Sequence, residues 1–427
     1  MENLSQQSNN NWAARFFTIW TGQAFSLFGS QLVQFALIWW LTQKSGSATV
    51  LAVATLVGML PQILLGPFAG AIVDRSNRRI IMIVADGSIA LATLLLILLF
   101  ATGKVQIWHV YAIMAVRSLG GAFHFPAMSA STPLMVPEKY LTRISGMNQT
   151  LQGLMALVAP PAGAFLLSVL PTQGVLFIDV ATAALAILPL IFIDIPQPIK
   201  HSDAAQKEKQ SLLKDLQDAF VYIRNWPGMV TILFMALFLN FLLTPLGSLM
   251  PLLVTKYFGK GALEFGFMES ASGFGIIAGG LLLSTWGGFN RKIVTSLCGI
   301  IGIGIGTSLI GFAPSTIFPM AVAGSIISGA MIPMANGPLG ALLQSVIRRD
   351  MQGRVMALVN SAATAISPIG LLIAGPLSDS IGIRTWYWFA GIFTILMAIS
   401  GFLIPAVMTV ETNHNDMQTS ASVSTIE

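Results

Sequence analysis

The sequence predicts an all-α membrane protein with twelve transmembrane helices, arranged as two pseudo-symmetric six-helix bundles. The chain is 55% hydrophobic and only 9% charged, with a mean hydropathy of +0.77, whereas soluble domains are about a quarter charged. Its apolar residues form twelve runs of roughly 20 residues or more, the length that crosses a bilayer as a helix. The alternating apolar and polar pattern of a transmembrane β-barrel is absent from these runs.

Six apolar runs precede a polar stretch and six follow it. The predicted spans are 15–42, 48–73, 80–102, 107–130, 145–169, 173–193, 226–253, 263–286, 292–312, 314–345, 354–378 and 384–409. The first run is too long for a signal-peptide core, so we interpret it as a retained span. The predicted domains are an N-terminal bundle over 1–193, a cytoplasmic linker over 194–225, a C-terminal bundle over 226–410 and a cytoplasmic tail over 411–427.

The polar stretch at 194–225 begins as a Pro-flanked linker and ends in the pattern of an amphipathic helix lying on the membrane surface. Its apolar face consists of Leu212, Leu213, Leu216, Phe220 and Ile223. We interpret this helix as a joint between the two bundles, with partner binding as the alternative.

The lysines and arginines predict that both termini lie in the cytoplasm. In that orientation sixteen of the 22 fall in cytoplasmic segments, five fall in outer loops, and Arg117 is left inside the membrane.

The two halves of the sequence also resemble each other. Span four contains "GAFHFPA" and span ten "GAMIPMA", and the distance from Pro160 to Gly174 equals that from Pro368 to Gly382. Such symmetry is typical of transporters whose site lies between two repeats near the midplane. Chance similarity between apolar segments is the alternative.

Four charged residues lie close together between spans two and three, in "GAIVDRSNRR". Its spacing of Gly70, Asp74, Arg75, Arg78 and Arg79 resembles the signature loop of the major facilitator superfamily. The stretches "WTGQAFSLFGS", "LTQKSGSATVL" and "RSLGGAFHFPA" are similar to the macrolide-efflux branch of its drug:proton antiporters. The resemblance covers essentially the whole chain and implies the major facilitator fold.

In this loop Asn77 replaces the glycine that the family usually has. Because asparagine tolerates the left-handed conformation better than most residues, we expect the turn to survive there. The resemblance implies that the charged loop gates one side of the protein, and a basic loop that only sets topology is the alternative.

Of all the residues in the predicted spans, Arg117 has the highest free-energy cost of burial in a bilayer. It lies about 14 Å into span four at 1.5 Å per residue, near the middle of the hydrocarbon core. A partner or water must therefore reach it. Gly121 and His124 follow on the same face, which we expect to be both close-packing and polar. The resemblance ties this arginine to proton movement; an arginine bonded only to backbone carbonyls is the alternative.

Three acids lie well inside the spans, away from their ends: Asp86, Asp179 and Glu269. A carboxylate that is alternately buried and wetted can take up and release a proton. Any of them could be the coupling acid, and each could instead be a packing, gating or vestibule residue.

The remaining candidates are neutral. Amide and imidazole side chains predicted to line a substrate cavity are Gln23, Gln31, Gln34, His124, Asn240, Asn336 and Asn360. In span five, "ALVAPPAGA" resembles the antiporter motif, with Pro160, Pro161 and Gly163 as the predicted kink and Ala159 in place of the motif glycine. "GIIGIGIGTS" in span nine has neither the strand nor the lysine of a nucleotide loop, so we interpret it as small-residue helix packing.

The resemblance implies a proton-driven exporter of hydrophobic or amphipathic compounds, macrolide-like drugs, working by alternating access in a bacterial-type plasma membrane. An exporter or flippase of a lysophospholipid or siderophore with the same fold is the alternative. The expected partners are a small hydrophobic substrate, protons and the lipid bilayer, without nucleic acid. The expected oligomeric state is a monomer. No cofactor, metal site or enzyme motif is predicted, since the sequence lacks Walker, HExxH and Cys/His patterns.

Overall fold

The computed structural model describes residues 12–197, 212–348 and 351–411, and every regular element in these ranges is helical. Eleven helical segments of this part are long and apolar enough to cross a membrane. A twelfth long helix, Ile107–Met135, carries Arg117 and two histidines, which lower its hydropathy. The prediction of an all-α protein with twelve spanning helices is confirmed.

The described residues fall into two units by their contacts. The first unit comprises residues up to 197 together with 254–256 and 260–270. Its helices are α1 (Trp12–Ser45), α2 (Ala48–Arg75), α3 (Arg78–Ala101), α4 (Ile107–Met135), α5 (Leu141–Val169) and α6 (Thr172–Phe192). Within it α1 packs mainly on α6 and α5, and α4 packs on α2 and α3.

The second unit contains the remaining described residues. Its helices are α7 (Leu212–Arg224), α8 (Pro227–Leu252), most of α9 (Ala262–Trp286), α10 (Lys292–Phe312), α11 (Phe318–Val346), α12 (Gln352–Ala365), α13 (Ser367–Ile381), α14 (Ile383–Leu403) and α15 (Pro405–Met408). Here α10 packs between α11 and α14, and α8 packs on α13.

The predicted amphipathic helix corresponds to α7. Its residues Ala219 and Ile223 are buried against Val355 and Val359 of α12, whereas Phe220 is exposed. The side chains of Leu212, Leu213 and Leu216 lie outside the described residues, as do linker residues 198–211 and tail residues 412–427. The buried face of α7, formed by Ala219 and Ile223, therefore packs on α12.

Prolines shift three predicted boundaries. The span at 354–378 is two helices, because Ser367–Pro368 begins α13 after a break at Ile366. The last span ends at Leu403, and Pro405 opens the separate turn α15. The tenth span begins at Phe318 instead of 314, with Pro319 in its first turn.

The chain turns between α2 and α3 at Asn77 as expected, but the residue does not adopt the left-handed conformation on which that expectation rested. Asn77 has φ −72° and ψ 109°, and no described residue other than glycine has a positive φ. Its side-chain oxygen instead accepts hydrogen bonds from the backbone N–H groups of Arg79, at 3.1 Å, and Ile80, at 3.4 Å. Asparagine is favoured here because it caps the start of α3.

Candidate functional site

Arg117 lies in a polar cluster that four helices of the first unit form together. Arg117 on α4, Asp179 on α6, Thr93 on α3 and Ser30 on α1 form this cluster, which we call the Arg117 layer. Asp179 is 1% exposed and the Arg117 side chain 10% exposed. A pair so well buried is only weakly screened by solvent.

The geometry of the Arg117 layer satisfies both charges. Arg117 Nη1 lies 2.5 Å from Asp179 Oδ2 and donates to Thr93 Oγ1 at 2.9 Å. Asp179 also accepts hydrogen bonds from Thr93 Oγ1, at 3.1 Å, and from Ser30 Oγ, at 3.0 Å. Arg117 Nη2 donates to the backbone carbonyl of Ser30 at 3.3 Å. The arginine thus has both of the partner types considered from the sequence, a carboxylate and a carbonyl.

Glycines on α1 allow this arrangement. A Cβ atom at Gly29 would lie 3.1 Å from the Cα of Asp179, and one at Gly22 would lie 3.0 Å from the carbonyl oxygen of Leu185. Because neither glycine has a side chain, α6 approaches α1 closely enough for Asp179 to reach Ser30.

A second polar cluster lies in the same unit. Asp86 on α3 is 5% exposed and accepts a hydrogen bond from Gln23 Nε2 on α1 at 3.1 Å. His124 Nε2 on α4 lies 3.4 Å from Asp86 Oδ1, without the alignment of a hydrogen bond, and it has no other hydrogen-bond partner among the described residues. We call Gln23, Asp86 and His124 the Asp86 layer.

The two layers are separated by seven residues on each of three helices. Gln23 precedes Ser30 on α1, Asp86 precedes Thr93 on α3, and Arg117 precedes His124 on α4. Seven residues are about two helical turns, or roughly 10 Å. The Asp86 layer lies nearer the end of the unit that carries the 74–79 loop, where α3 begins.

Gly121, which lies between the two layers on α4, does not make the close helix contact that the sequence predicted. The sequence predicted a close-packing face at this residue, yet a Cβ atom there would meet nothing within 4 Å. The close contact is made by its neighbour Gly120, whose Cβ atom would lie 2.7 Å from Ile89 Cδ1 and 3.4 Å from the carbonyl oxygen of Ala85. Gly120 lets α3 and α4 approach beside Asp86, and Gly121 leaves open space.

The charged loop fastens the helix ends of the first unit. Arg79 pairs with Asp194 and donates to the carbonyl oxygens of Leu190 and Ile191 at the end of α6. A cation at these carbonyls is favoured by the negative end of the helix dipole.

The neighbouring arginine is largely buried. Arg78 donates to the carbonyl oxygen of Ala130 on α4 at 2.8 Å and lies 3.4 Å from Asp74. Asp74 and Arg75 are exposed, and a Cβ atom at Gly70 would meet nothing within 4 Å.

Glu269 on α9 is partly buried and stands apart from both layers. Its carboxylate makes no hydrogen bond or ion pair with any described residue. The adjacent Ser270 donates to the carbonyl oxygen of Leu157 on α5 at 2.8 Å.

The predicted cavity residues are not gathered in one place. Gln23 and His124 belong to the Asp86 layer, whereas Gln31, Gln34, Asn336 and Asn360 are exposed. Asn240 is partly buried and donates to the carbonyl oxygen of Ala236 in its own helix at 3.0 Å. Their role as substrate ligands stays a prediction.

The predicted kink lies inside one continuous helix. Pro160 and Pro161 are both within α5, which runs unbroken from Leu141 to Val169. A Cβ atom at Gly163 would lie 3.0 Å from the ring of Phe35, so this glycine allows α1 and α5 to approach.

The sequence analysis did not identify the hydroxyl groups of the Arg117 layer. It located the acidic residues there without identifying their partners. Ser30 and Thr93 hold Asp179 in place, and Asp194 holds Arg79. The seven-residue repeat of polar residues on α1, α3 and α4 was the available signal. Among residues 12–197, 212–348 and 351–411, no three His, Cys, Asp or Glu side chains are placed to bind a metal ion.

Comparison with known proteins gives a consistent answer. The family model described as Major Facilitator Superfamily matches residues 19–253 and 232–424. Macrolide efflux protein A of Streptococcus pyogenes is 35% identical over 390 residues, which are 91% of this chain and 96% of that protein.

Two further relatives extend the comparison. Macrolide efflux protein A of Enterococcus faecalis is 33% identical over 76% of this chain and 100% of its own length. Multidrug efflux pump Tap of Mycolicibacterium fortuitum is 23% identical over 88% of this chain and 92% of that protein.

Solved structures agree on the fold. A bacterial homologue of the lysosomal transporter Spinster, inward-facing and unoccupied, has a TM-score of 0.71 at 14% identity and covers 94% of this chain and 98% of its own. The D-xylose–proton symporter has a TM-score of 0.63 at 16% identity and covers 90% of this chain and 96% of its own.

Proposed function

This chain belongs to the major facilitator superfamily, and from that premise we propose that it exports hydrophobic or amphipathic compounds of the macrolide class in exchange for protons. Two relatives that are 33–35% identical over most of the chain carry the name macrolide efflux protein A, which supports the substrate class. The proposal is alternating access: substrate binds between two six-helix halves, the halves rock, and a proton entering from outside resets the carrier.

The buried Arg117–Asp179 pair is the observation that carries the proton part of the proposal. Both groups lie deep within helices of a membrane protein, where an unpaired charge is costly. Protonation of Asp179 would remove one charge of the pair and weaken the attraction between α4 and α6. Asp179 joins four helices through its hydrogen bonds, so its protonation would loosen all four together.

We assign the charged loop a gating role. Arg78 and Arg79 fasten the adjoining ends of α3, α4 and α6, so the unit can move as one body at that end. In the proposed cycle this loop secures the outward-facing state from inside. The partly buried Glu269 remains an additional candidate for proton or substrate binding.

The proposed setting is a bacterial-type plasma membrane, with both termini in the cytoplasm and residues 194–225 as the joint between the halves. The concentration of arginines at 75–79 supports this orientation. The proposed working unit is a monomer surrounded by lipid.

Accumulation of a radiolabelled macrolide in cells with and without this chain tests the function. We expect lower accumulation in expressing cells and recovery to the control level when a protonophore dissipates the proton gradient. Equal accumulation in both cell types across a panel of macrolides would overturn the substrate class, and movement of a lysophospholipid or siderophore instead would replace it. Export that persists unchanged with the protonophore would overturn proton coupling.

A further inference from the structure

The Asp86 layer has chemistry that the Arg117 layer lacks. Arginine keeps its positive charge at every physiological pH, so only the carboxylate of the Arg117–Asp179 pair can change charge. In the Asp86 layer the basic group is His124, and an imidazole, unlike a guanidinium, can gain or lose its charge within the physiological pH range. We propose that Asp86 and His124 form a second proton-binding site, in series with the Arg117–Asp179 pair; this inference rests on the proposed proton-coupled export.

The charge balance of the pair gives the direction of proton binding. With His124 neutral and Asp86 ionised, the layer carries one buried negative charge whose single hydrogen bond comes from Gln23. One proton taken up at His124 converts the layer into a neutral ion pair, and its release restores the negative charge. The distance of 3.4 Å between His124 Nε2 and Asp86 Oδ1 is short enough for that ion pair.

The other charged and titratable groups on the neighbouring helices lie away from the Asp86–His124 pair. The helices packed around it are α1, α2, α3, α4 and α6. Their other charged or titratable side chains are Arg15, Lys44, Asp74, Arg75, Arg78, Arg79, His109, Tyr111, Arg117 and Asp179. Arg117 and Asp179 belong to the other layer, and the rest lie towards helix ends.

The space between the two layers supports their connection. Gly121 lies four residues after Arg117 and three before His124, on the α4 face that both layers share. A side chain there would meet nothing within 4 Å, so room remains beside the polar groups. Ser26 lies on α1 between Gln23 and Ser30 and is 8% exposed, which adds a hydroxyl at the intermediate height. Water in this gap would carry a proton between Asp179 and His124.

The pH profile of transport tests the second site. Purified protein in proteoliposomes is supplied with a macrolide, and drug-driven proton release is followed with a pH dye at fixed gradients between about pH 5.5 and 8. For the wild type we expect the rate to change several-fold across this range, because proton uptake at His124 changes the net charge of the layer. For His124→Gln, Asp86→Asn and the double variant we expect one shared, flattened profile, because each breaks the same pair. His109→Gln, the matched control on α4, is expected to keep the wild-type profile.

His124→Arg keeps the proposal testable if the neutral variants do not fold. A permanent cation beside Asp86 holds the layer in its neutral paired state, so we expect a flattened profile with folded protein. A wild-type profile in His124→Gln or His124→Arg would overturn the second site, and so would separate, additive effects of Asp86→Asn and His124→Gln. These outcomes differ from failure of the proposed function, in which the wild-type protein itself releases no protons in response to drug.

Discussion

At Arg117, burial and charge oppose each other. A lone arginine at mid-membrane depth costs about 3 kcal/mol or more. The ion pair with Asp179 and the hydrogen bonds to the Thr93 hydroxyl and the Ser30 carbonyl oxygen offset that cost, but only while both charged partners are present. Removing one partner of a buried pair costs about 3–5 kcal/mol, whereas removing both is often neutral.

This asymmetry separates a structural role of the pair from a coupling role. We expect Asp179→Asn and Arg117→Gln to lower the yield of folded protein strongly, because each leaves a buried group unpaired. The double variant is expected to recover folded protein, measured by size-exclusion chromatography and thermal melting, while losing proton-driven macrolide transport. A double variant that transports macrolide at the wild-type rate, with full protonophore sensitivity, would make the pair purely structural.

The sequence predicted that Arg117 needs a partner and named three acids, but it did not choose among them. The choice depends on how closely α6 approaches α1, which the missing side chain of Gly29 decides. Such a contact joins residues about 150 positions apart and leaves no local pattern in the chain. The assignment of Gln23 and His124 to the same acid, Asp86, required the structure for the same reason.

At the scale of helices, α10 shows how small residues set packing in the second unit. A Cβ atom at Gly306 would lie 2.6 Å from the carbonyl oxygen of Gly324 on α11. On another side of α10, a Cβ atom at Gly304 would lie 2.8 Å from the carbonyl oxygen of Gly391 on α14. The glycine-rich run therefore packs against two helices at once, which agrees with the packing interpretation of "GIIGIGIGTS".

We expect Gly306→Ala to lower the melting temperature of the purified protein. The added methyl group meets backbone atoms that cannot rotate away, and overpacking of this kind costs about 1–3 kcal/mol. Gly280→Ala on α9 is the matched control, since a Cβ atom there meets nothing within 4 Å. It is expected to leave the melting temperature unchanged or slightly higher, because alanine favours helix over glycine by about 0.5–1 kcal/mol. An equal effect of both variants would show that helix propensity, not packing, controls stability here.

Helix positions followed from the sequence more readily than helix partners. A bilayer requires its spanning segments to satisfy their backbone hydrogen bonds internally, so long apolar runs become helices nearly end to end. The prediction at 292–312 and the observed α10 have the same bounds. Boundaries shifted where prolines act, as at Pro368 and Pro405, because the effect of a proline depends on which side of the helix end it falls.

For the whole molecule, the two units differ in where they place charge. The first unit buries an arginine–carboxylate pair and a histidine–carboxylate pair within its helices. In the described part of the second unit, the charged residues of the membrane-spanning helices lie towards helix ends, as Lys292, Asp379 and Arg384 do. The proposed proton chemistry therefore belongs to the first unit.

The orientation of the chain in the membrane follows from the unequal charges on its loops. Arg75, Arg78 and Arg79 flank Ser76 between α2 and α3, whereas Lys104 is alone between α3 and α4. Because cytoplasmic loops are enriched in lysine and arginine, we expect Ser76 inside and Lys104 outside. Both residues are exposed, and Cys298 is the one cysteine of the chain, so labelling can be made specific.

In a Cys298→Ser background, Lys104→Cys is expected to react with a membrane-impermeant maleimide in intact cells. Ser76→Cys is expected to react only after permeabilisation, and the background variant alone not at all. Since α3 joins the two positions across the membrane, they must label from opposite sides whichever way the chain is inserted. Labelling of Ser76→Cys in intact cells and of Lys104→Cys only after permeabilisation would place both termini outside. The gating loop would then face away from the cytoplasm, and the proposed direction of transport would have to be reversed.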